Sequence, residues 1–397
     1  MIYYYSMKKS TSKKKMSVKQ KKQLLPISIL TLCVVPILGI GIYFANTTSS
    51  NLTYFRNTDT VINTLPPKPT LDETAYDTRL LSLAHIATST PWYTYFLTGT
   101  LPTTTITATT TATSTITTDI TIPHEPWPTK TVYPDYGALL PFNRIVAYYG
   151  NFYSTKMGIL GEFPEEEVIS KLLVEKANWE KADPETPVIP AINYIAITAQ
   201  GSPGADGKYR LRMPESEINK AIDMANKIDG IVILDIQVGF STLKEELPLL
   251  KKYLSLPNVH LAIDPEFSMK GTEPPGRVIG SFSAEDINYA IDFLSDTVTE
   301  NNLTPKILVV HRFTKKMVKD YKDITPTAQT QVVIDMDGWG TVERKKGTYN
   351  LVANQEPVQF TGYKIFYYND LKAPSTGLTT PQQVLDLTPS PIFIQYQ

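Results

Sequence analysis

Eight short apolar runs recur between residues 141 and 397, and each stops on polar or charged residues. The stops, in order, are Tyr149-Gly150-Asn151, Asn193-Tyr194, Asp235-Ile236-Gln237, Asp264-Pro265-Glu266, His311-Arg312, Asp335-Met336-Asp337, Tyr368-Asn369-Asp370 and Gln395-Tyr396. Most of the gaps between them read as amphipathic helix. Strand, helix, strand repeated eight times predicts an α/β fold, the (β/α)8 or TIM barrel, which takes about 250 residues. In such a barrel the loops after the strands form the open face, so a set of carboxylates at strand ends points to chemistry.

The predicted strands cover residues 144–149, 188–197, 230–235, 259–264, 306–310, 331–335, 363–367 and 392–396. The third is almost wholly apolar, as a parallel strand covered on both faces should be. Glu165, Glu166 and Glu167 open the first barrel helix, where the helix dipole favours negative charge. Ser283 and Asp286 form a capping-box variant before the fourth. Residues 341–354 are polar enough to suggest a hairpin in place of a helix.

Ahead of the barrel the composition changes twice. Eight lysines lie between Lys8 and Lys22, and residues 24–45 are uncharged and apolar. Crossing a bilayer core takes about 20 residues, so this is the expected transmembrane signal anchor. Lysines before it and Arg56 as the first cation after it put residues 1–23 in the cytoplasm and the rest outside. Cys33, the single cysteine, falls within the span and faintly resembles a lipobox cysteine, although Leu32 replaces the small residue such sites carry. The remainder has no cysteine, so no disulfide can staple it.

Residues 46–140 read as a linker. Twelve threonines fall between Thr100 and Thr118, and Pro66-Pro67-Lys68-Pro69 adds an extended piece. Residues 71–86 suit one helix, taken as a spacer. Asn46, Asn51 and Asn302 head glycosylation sequons. Net charge is −1, which gives no electrostatic case for nucleic acid. With no P-loop and no G-x-G-x-x-G, no nucleotide cofactor is expected. Nothing in the pattern fixes an oligomeric state.

The strand ends carry the chemistry. If the fourth strand runs through Asp264-Pro265-Glu266, both carboxylates share a face, about 6.5–7 Å apart. Asp335-Met336-Asp337 repeats the spacing, and Asp235 with Gln237 offers an acid and an amide. Several acids converging on one cleft repel, so at least one should hold its proton unless a cation compensates. A protonated acid beside an ionised one is what glycosidic cleavage needs, and Glu266 is the candidate acid with Asp264, Asp235 or Asp337 as partner. Tyr149, Asn151, Asn193, Gln237, His311, Arg312, Asp335, Trp339, Tyr367 and Gln395 are candidate substrate-binding residues, because aromatic faces and amides suit sugar rings and hydroxyls. Arg312 is placed to pair with Asp335 or Asp337, or to be locked in a structural ion pair. His260 opens a strand at the opposite, stability-side face and is set aside.

Residues 143–397 resemble bacterial cell-surface or lipoprotein barrels grouped with glycoside hydrolases. The resemblance rests on Ala147-Tyr148-Tyr149-Gly150-Asn151, Met157-Gly158-Ile159-Leu160-Gly161, His260-Leu261-Ala262-Ile263-Asp264-Pro265-Glu266, Val333-Ile334-Asp335-Met336-Asp337-Gly338-Trp339 and Ile394-Gln395-Tyr396. A looser one is to family 25 lysozymes, through Asp264-x-Glu266 and Gln395-Tyr396. Phe393-Ile394 stands where those enzymes have tryptophan, and Tyr148-Tyr149-Gly150-Asn151 replaces their acidic first strand.

Three readings follow. The favoured one is a membrane-anchored extracellular glycoside hydrolase acting on a cell-wall or surface polysaccharide, with no metal or other cofactor. The second is a barrel that binds glycan without cleaving it. The third is metal-dependent hydrolysis through Asp235, Asp264, Asp335 and His311, although the first strand lacks a His-x-His.

Overall fold

The computed structural model describes residues 69–87, 89–99, 127–129 and 131–397. The anchor at 24–45, the lysines before it, Cys33, Asn46, Asn51 and the threonine run lie outside the described residues. Among those described, no helix is long and apolar enough to cross a membrane.

Eight parallel strands close a barrel: β1 (Arg144–Gly150), β2 (Val188–Ala199), β3 (Ile231–Ile236), β4 (Val259–Ile263), β5 (Lys306–Arg312), β6 (Thr330–Met336), β7 (Phe360–Ile365) and β8 (Phe393–Tyr396). Each strand pairs with its neighbours in sequence, and β8 pairs with β1 to complete the ring. Period-two alternation splits every strand between two apolar layers. Ile145, Ala147, Ala191, Ile233, Ala262, Val309, Val333 and Phe393 fill the barrel. Val146, Ile192, Leu234, Leu261, Val310, Ile334 and Ile394 face the surrounding helices. Burial on both sides explains why the runs read as continuously apolar.

The outer helices are α3 (Glu165–Ala182), α4 (Glu215–Asn226), α5 (Leu243–Leu254), α6 (Ala284–Asn301), α7 (Val342–Tyr349) and α8 (Pro381–Leu385). Ser283 and Asp286 do form the capping box of α6. Between β5 and β6 two 3-10 turns stand where a helix would. The polar segment after β6 is helical, against the hairpin expectation. The face of α7 turned to the barrel carries Lys345 and Tyr349 in place of aliphatic residues, which hides its period.

Strand β7 begins at Phe360, three residues before the predicted start, and ends at Ile365. Asp370 therefore lies beyond the strand, paired with the buried Lys345 ammonium. Strand β4 stops at Ile263; Asp264 caps a 3-10 turn over Pro265–Phe267 by accepting the Glu266 N–H, so Asp264 and Glu266 are not on one strand face.

Residues 71–86 do not act as a spacer. Helices α1 (Glu73–Leu83) and α2 (Pro91–Thr98) lie in the same compact unit as the barrel. Tyr76, Leu80, Leu81, Phe96 and Trp127 join Leu140 and the barrel-lining residues in one apolar cluster. The Trp127 indole donates to Gln359 O at 2.6 Å, and Gln331 exchanges hydrogen bonds with the Leu140 backbone. These contacts are with strand starts, so the segment plugs the N-terminal end of the barrel.

Candidate active site

At the opposite end, alternation brings one polar layer together. Tyr149, Asn193, Asp235, His311, Asp335, Lys364 and Gln395 occupy inward positions in phase with the apolar residues below them. Gln237, Asp264 and Asp337 follow directly on the strands. Ten of the predicted site residues converge here with Glu266: Asp235, Asp264, Asp337, Tyr149, Asn193, Gln237, His311, Asp335, Gln395 and, at the rim, Trp339. Lys364 was not foreseen. A lysine inside an otherwise apolar run was the available signal, but a strand over 363–367 with Tyr367 inward puts Lys364 on the outer face, whereas β7 ends at Ile365 with Lys364 inward.

His311 is the hub. Its Nε2 lies 2.9 Å from Asp235 Oδ2, and its Nδ1 lies 3.2 Å from Asp335 Oδ2 and 3.4 Å from Asp337 Oδ2. Burial alone would lower the imidazole pKa, but Asp235, then Asp335 and Asp337, outweigh it and hold the ring as imidazolium well above the usual range. Lys364 Nζ sits 3.2 Å from Asp337 Oδ1 and 3.9 Å from the centre of the Tyr149 ring. Gln237 donates to Tyr149 OH at 3.2 Å and to Asp264 Oδ2 at 3.4 Å. Gln395 donates to Asn193 Oδ1 at 3.0 Å. A Cβ on Gly362 would come within 2.7 Å of Asp335 Oδ1, so glycine there makes room for that carboxyl.

Burial sorts the acids. Asp235, Asp264 and Asp335 are enclosed, whereas the Asp337 side chain is 11% exposed and Glu266 is half-buried at the mouth. Burial pushes Asp264 well above the ordinary carboxylate range, helped by the charges of Glu266, Asp235 and Asp337. Asp335 is raised by burial, against the pull of His311. Glu266 is raised to about 7, by burial first and Asp337 second, with Lys364 and His311 opposing. Among the described residues no side-chain hydrogen bond or ion pair holds the Glu266 carboxyl.

Three predicted residues lie elsewhere. Arg312 points out of the barrel, where it pairs with Glu356 and donates to Val352 O at 3.3 Å and Lys315 O at 3.1 Å; it meets neither Asp335 nor Asp337. Tyr367 follows β7 on the outer side and donates to Glu175 at 2.7 Å, with Tyr148 OH 3.1 Å away. Asn151 sits under the β1 loop, donating to Ile195 O at 3.0 Å and accepting from Tyr153 N. Arg312 and Tyr367 have the right residue type at a strand end but the wrong phase, whereas Asn151 is in phase with Tyr149 but lies beyond Gly150, the last residue of β1. His260 is at the other end of the barrel as expected; its Nδ1 accepts from Ile307 N at 2.9 Å, and burial keeps it neutral.

The metal reading asked Asp235, Asp264, Asp335 and His311 to share an ion. Among the described residues no group of three His, Cys, Asp or Glu side chains is arranged to do so, and both His311 nitrogens already face carboxylates.

No family model matches the chain, and no curated protein matches it. Among solved structures it is similar to a glycoside hydrolase family 5 enzyme from Prevotella bryantii B14, at 10% identity, 68% of this chain, 92% of that one and a TM-score of 0.37. A mutant of that enzyme in complex with a xyloglucan tetradecasaccharide gives 11%, 65%, 87% and 0.35. A broad-specificity endoglucanase from an uncultured bovine rumen ciliate gives 12%, 59%, 76% and 0.32. Scores this low carry nothing about chemistry, which has to be read from the side chains.

Proposed function

We propose that the barrel cleaves glycosidic bonds in a polysaccharide by carboxylate acid/base catalysis. Glu266 supports this reading most directly: it is an acid at the barrel mouth, raised to about 7 and, among the described residues, bound to no other side chain. Near neutral pH such a group keeps a proton to give to the leaving glycosidic oxygen. Asp337 is the partner carboxylate. Asp235 and Asp264 are enclosed, while Asp337 is partly open and held by Lys364 and His311. As the bond from the anomeric carbon to oxygen breaks, its electron pair leaves with the oxygen that Glu266 protonates. The Asp337 carboxylate meets the positive charge developing on the sugar, and water completes the hydrolysis.

The sequence of residues 1–45 supports a chain anchored by 24–45 with the barrel outside the cell, and so a surface or cell-wall polysaccharide as substrate.

The test is release of reducing ends from a panel of neutral and acidic polysaccharides by the full chain in detergent. Glu266→Gln should lower release by about 10²–10⁴-fold while leaving polymer binding intact. Binding by the unaltered chain with no release from any polymer would assign the barrel to glycan binding instead.

A further inference from the structure

Trp339 follows Asp337 by two residues and differs from its buried counterparts. Trp127 and Trp179 are 3% and 0% exposed, each closing a core, while Trp339 is 40% exposed. Core packing does not explain an indole left open at the rim of a polar mouth.

Its neighbours are cations. The Arg344 guanidinium lies 5.6 Å and Lys372 Nζ 5.3 Å from the indole centre. Among the described residues no carboxylate pairs with Arg344 and no side chain accepts from its guanidinium; the indole is its neighbour. Its position is nevertheless built. Arg344 belongs to the first turn of α7, where its N–H donates to the N-cap Thr341. Its aliphatic stem packs where Gly340 has no side chain: a Cβ there would lie 2.9 Å from Arg344 Cδ. Gly340 has φ +141°, and its N–H donates to Asp370 Oδ1 at 2.9 Å, which ties the loop to a buried residue. Lys372 is steadied by Asn369, whose Oδ1 accepts from its Nζ at 2.6 Å.

We propose that Trp339, Arg344 and Lys372 form a subsite for an anionic sugar, so that the polysaccharide substrate is an acidic one. This rests on the glycan reading above and narrows its substrate class. The open indole takes the apolar C–H face of a pyranose ring. A planar guanidinium with unused donors is matched to a carboxylate or phosphate borne by that ring, and Lys372 adds a second charge. Contact with the indole restricts both cations before substrate arrives, which lowers the ordering cost of binding. A neutral polymer would leave the Arg344 guanidinium without a charged partner among the described residues.

Affinity electrophoresis of the full chain in detergent tests this without requiring turnover. The probes are polygalacturonate, its fully methyl-esterified form, which keeps the backbone and loses the charge, and a phosphomannan. Retardation by polygalacturonate or phosphomannan but not by the ester supports the subsite and tells carboxylate from phosphate. Arg344→Glu and Trp339→Ala should each weaken retention about tenfold, the scale of losing one charge-assisted contact or one stacked ring. Arg344→Lys and Trp339→Phe should restore much of it. Equal retention by charged polymer and ester, or a folded Arg344→Glu variant with unchanged retention, overturns the proposal. Failure of catalysis alone is separate: reducing-end release would be absent while this charge preference remained.

Discussion

The chemistry of Glu266 depends on the charges set around it. Two cations, Lys364 and His311, hold its pKa down, while burial and Asp337 push it up. Lys364→Met removes one restraint and also leaves Asp337 without its ammonium partner 3.2 Å away. Losing the Lys364 charge raises Glu266 further. Because a general acid works in its protonated form, activity falls as pH rises through its pKa, and that alkaline limb starts near 7. In Lys364→Met the limb should therefore move to higher pH, with a lower maximum because Asp337 is less firmly placed. A pH–rate profile reads both; a limb that stays put or moves down contradicts the assigned roles. At this scale the sequence was informative wherever strand phase was clear. Asp235, His311 and Asp335 follow directly from an inward Ile233, Val309 and Val333. Lys364 was lost because Tyr363 to Tyr367 looked like the strand, and the same shift put Tyr367 in a site it does not enter.

Among the elements, α7 shows why a polar sequence can still make a core helix. Its inward face buries an ammonium, Lys345, against Asp370, and Lys345 also donates to Lys364 O at 2.5 Å. That bond ties the helix to the strand carrying the site lysine, and Asp370 also fixes Gly340. A buried pair broken from one side leaves an uncompensated charge, a loss of about 3–5 kcal/mol. Asp370→Asn should destabilise the protein by that much. Replacing Lys345 with Met in the same chain should recover most of it, because no stranded ammonium remains. Urea denaturation of the single and double variants reads the coupling; strictly additive losses would mean that the pair acts through neither partner's charge. The helix was misread because hydropathy periodicity counts lysine as solvent-facing, and only the position of Asp370 beyond β7 changes that.

For the molecule as a whole, the barrel pattern was legible in eight apolar runs, but the folded unit is larger than the pattern. A (β/α)8 sequence has no signal at the N-terminal end of its barrel, where no loop chemistry is needed. Something apolar must nevertheless cover Ile145, Phe360 and Phe393, and here residues N-terminal to the repeat supply it. Tyr76 meets Tyr133, Phe142 and Phe360 edge-on with ring centres 5.7, 6.2 and 6.4 Å apart, and Ser390 N donates to Leu83 O at 2.7 Å. Each fully buried large apolar side chain contributes about 1.5–3 kcal/mol. Tyr76, Leu80, Leu81, Phe96 and Trp127 together therefore match the whole net stability of an ordinary domain, about 5–15 kcal/mol. A fragment cut at residue 141, where the repeat begins, should lack a cooperative urea transition and aggregate through the uncovered barrel end. A fragment beginning at Pro69 should unfold in one transition. If the two fragments unfolded at the same urea concentration, the plug would be a passenger on a self-sufficient barrel. The site would not feel its loss directly, because the plug meets strand starts while Glu266 and Asp337 follow strand ends. Any loss of activity in the shorter fragment should therefore track the fraction unfolded, which places the linker's effect in stability and leaves the chemistry to the opposite face.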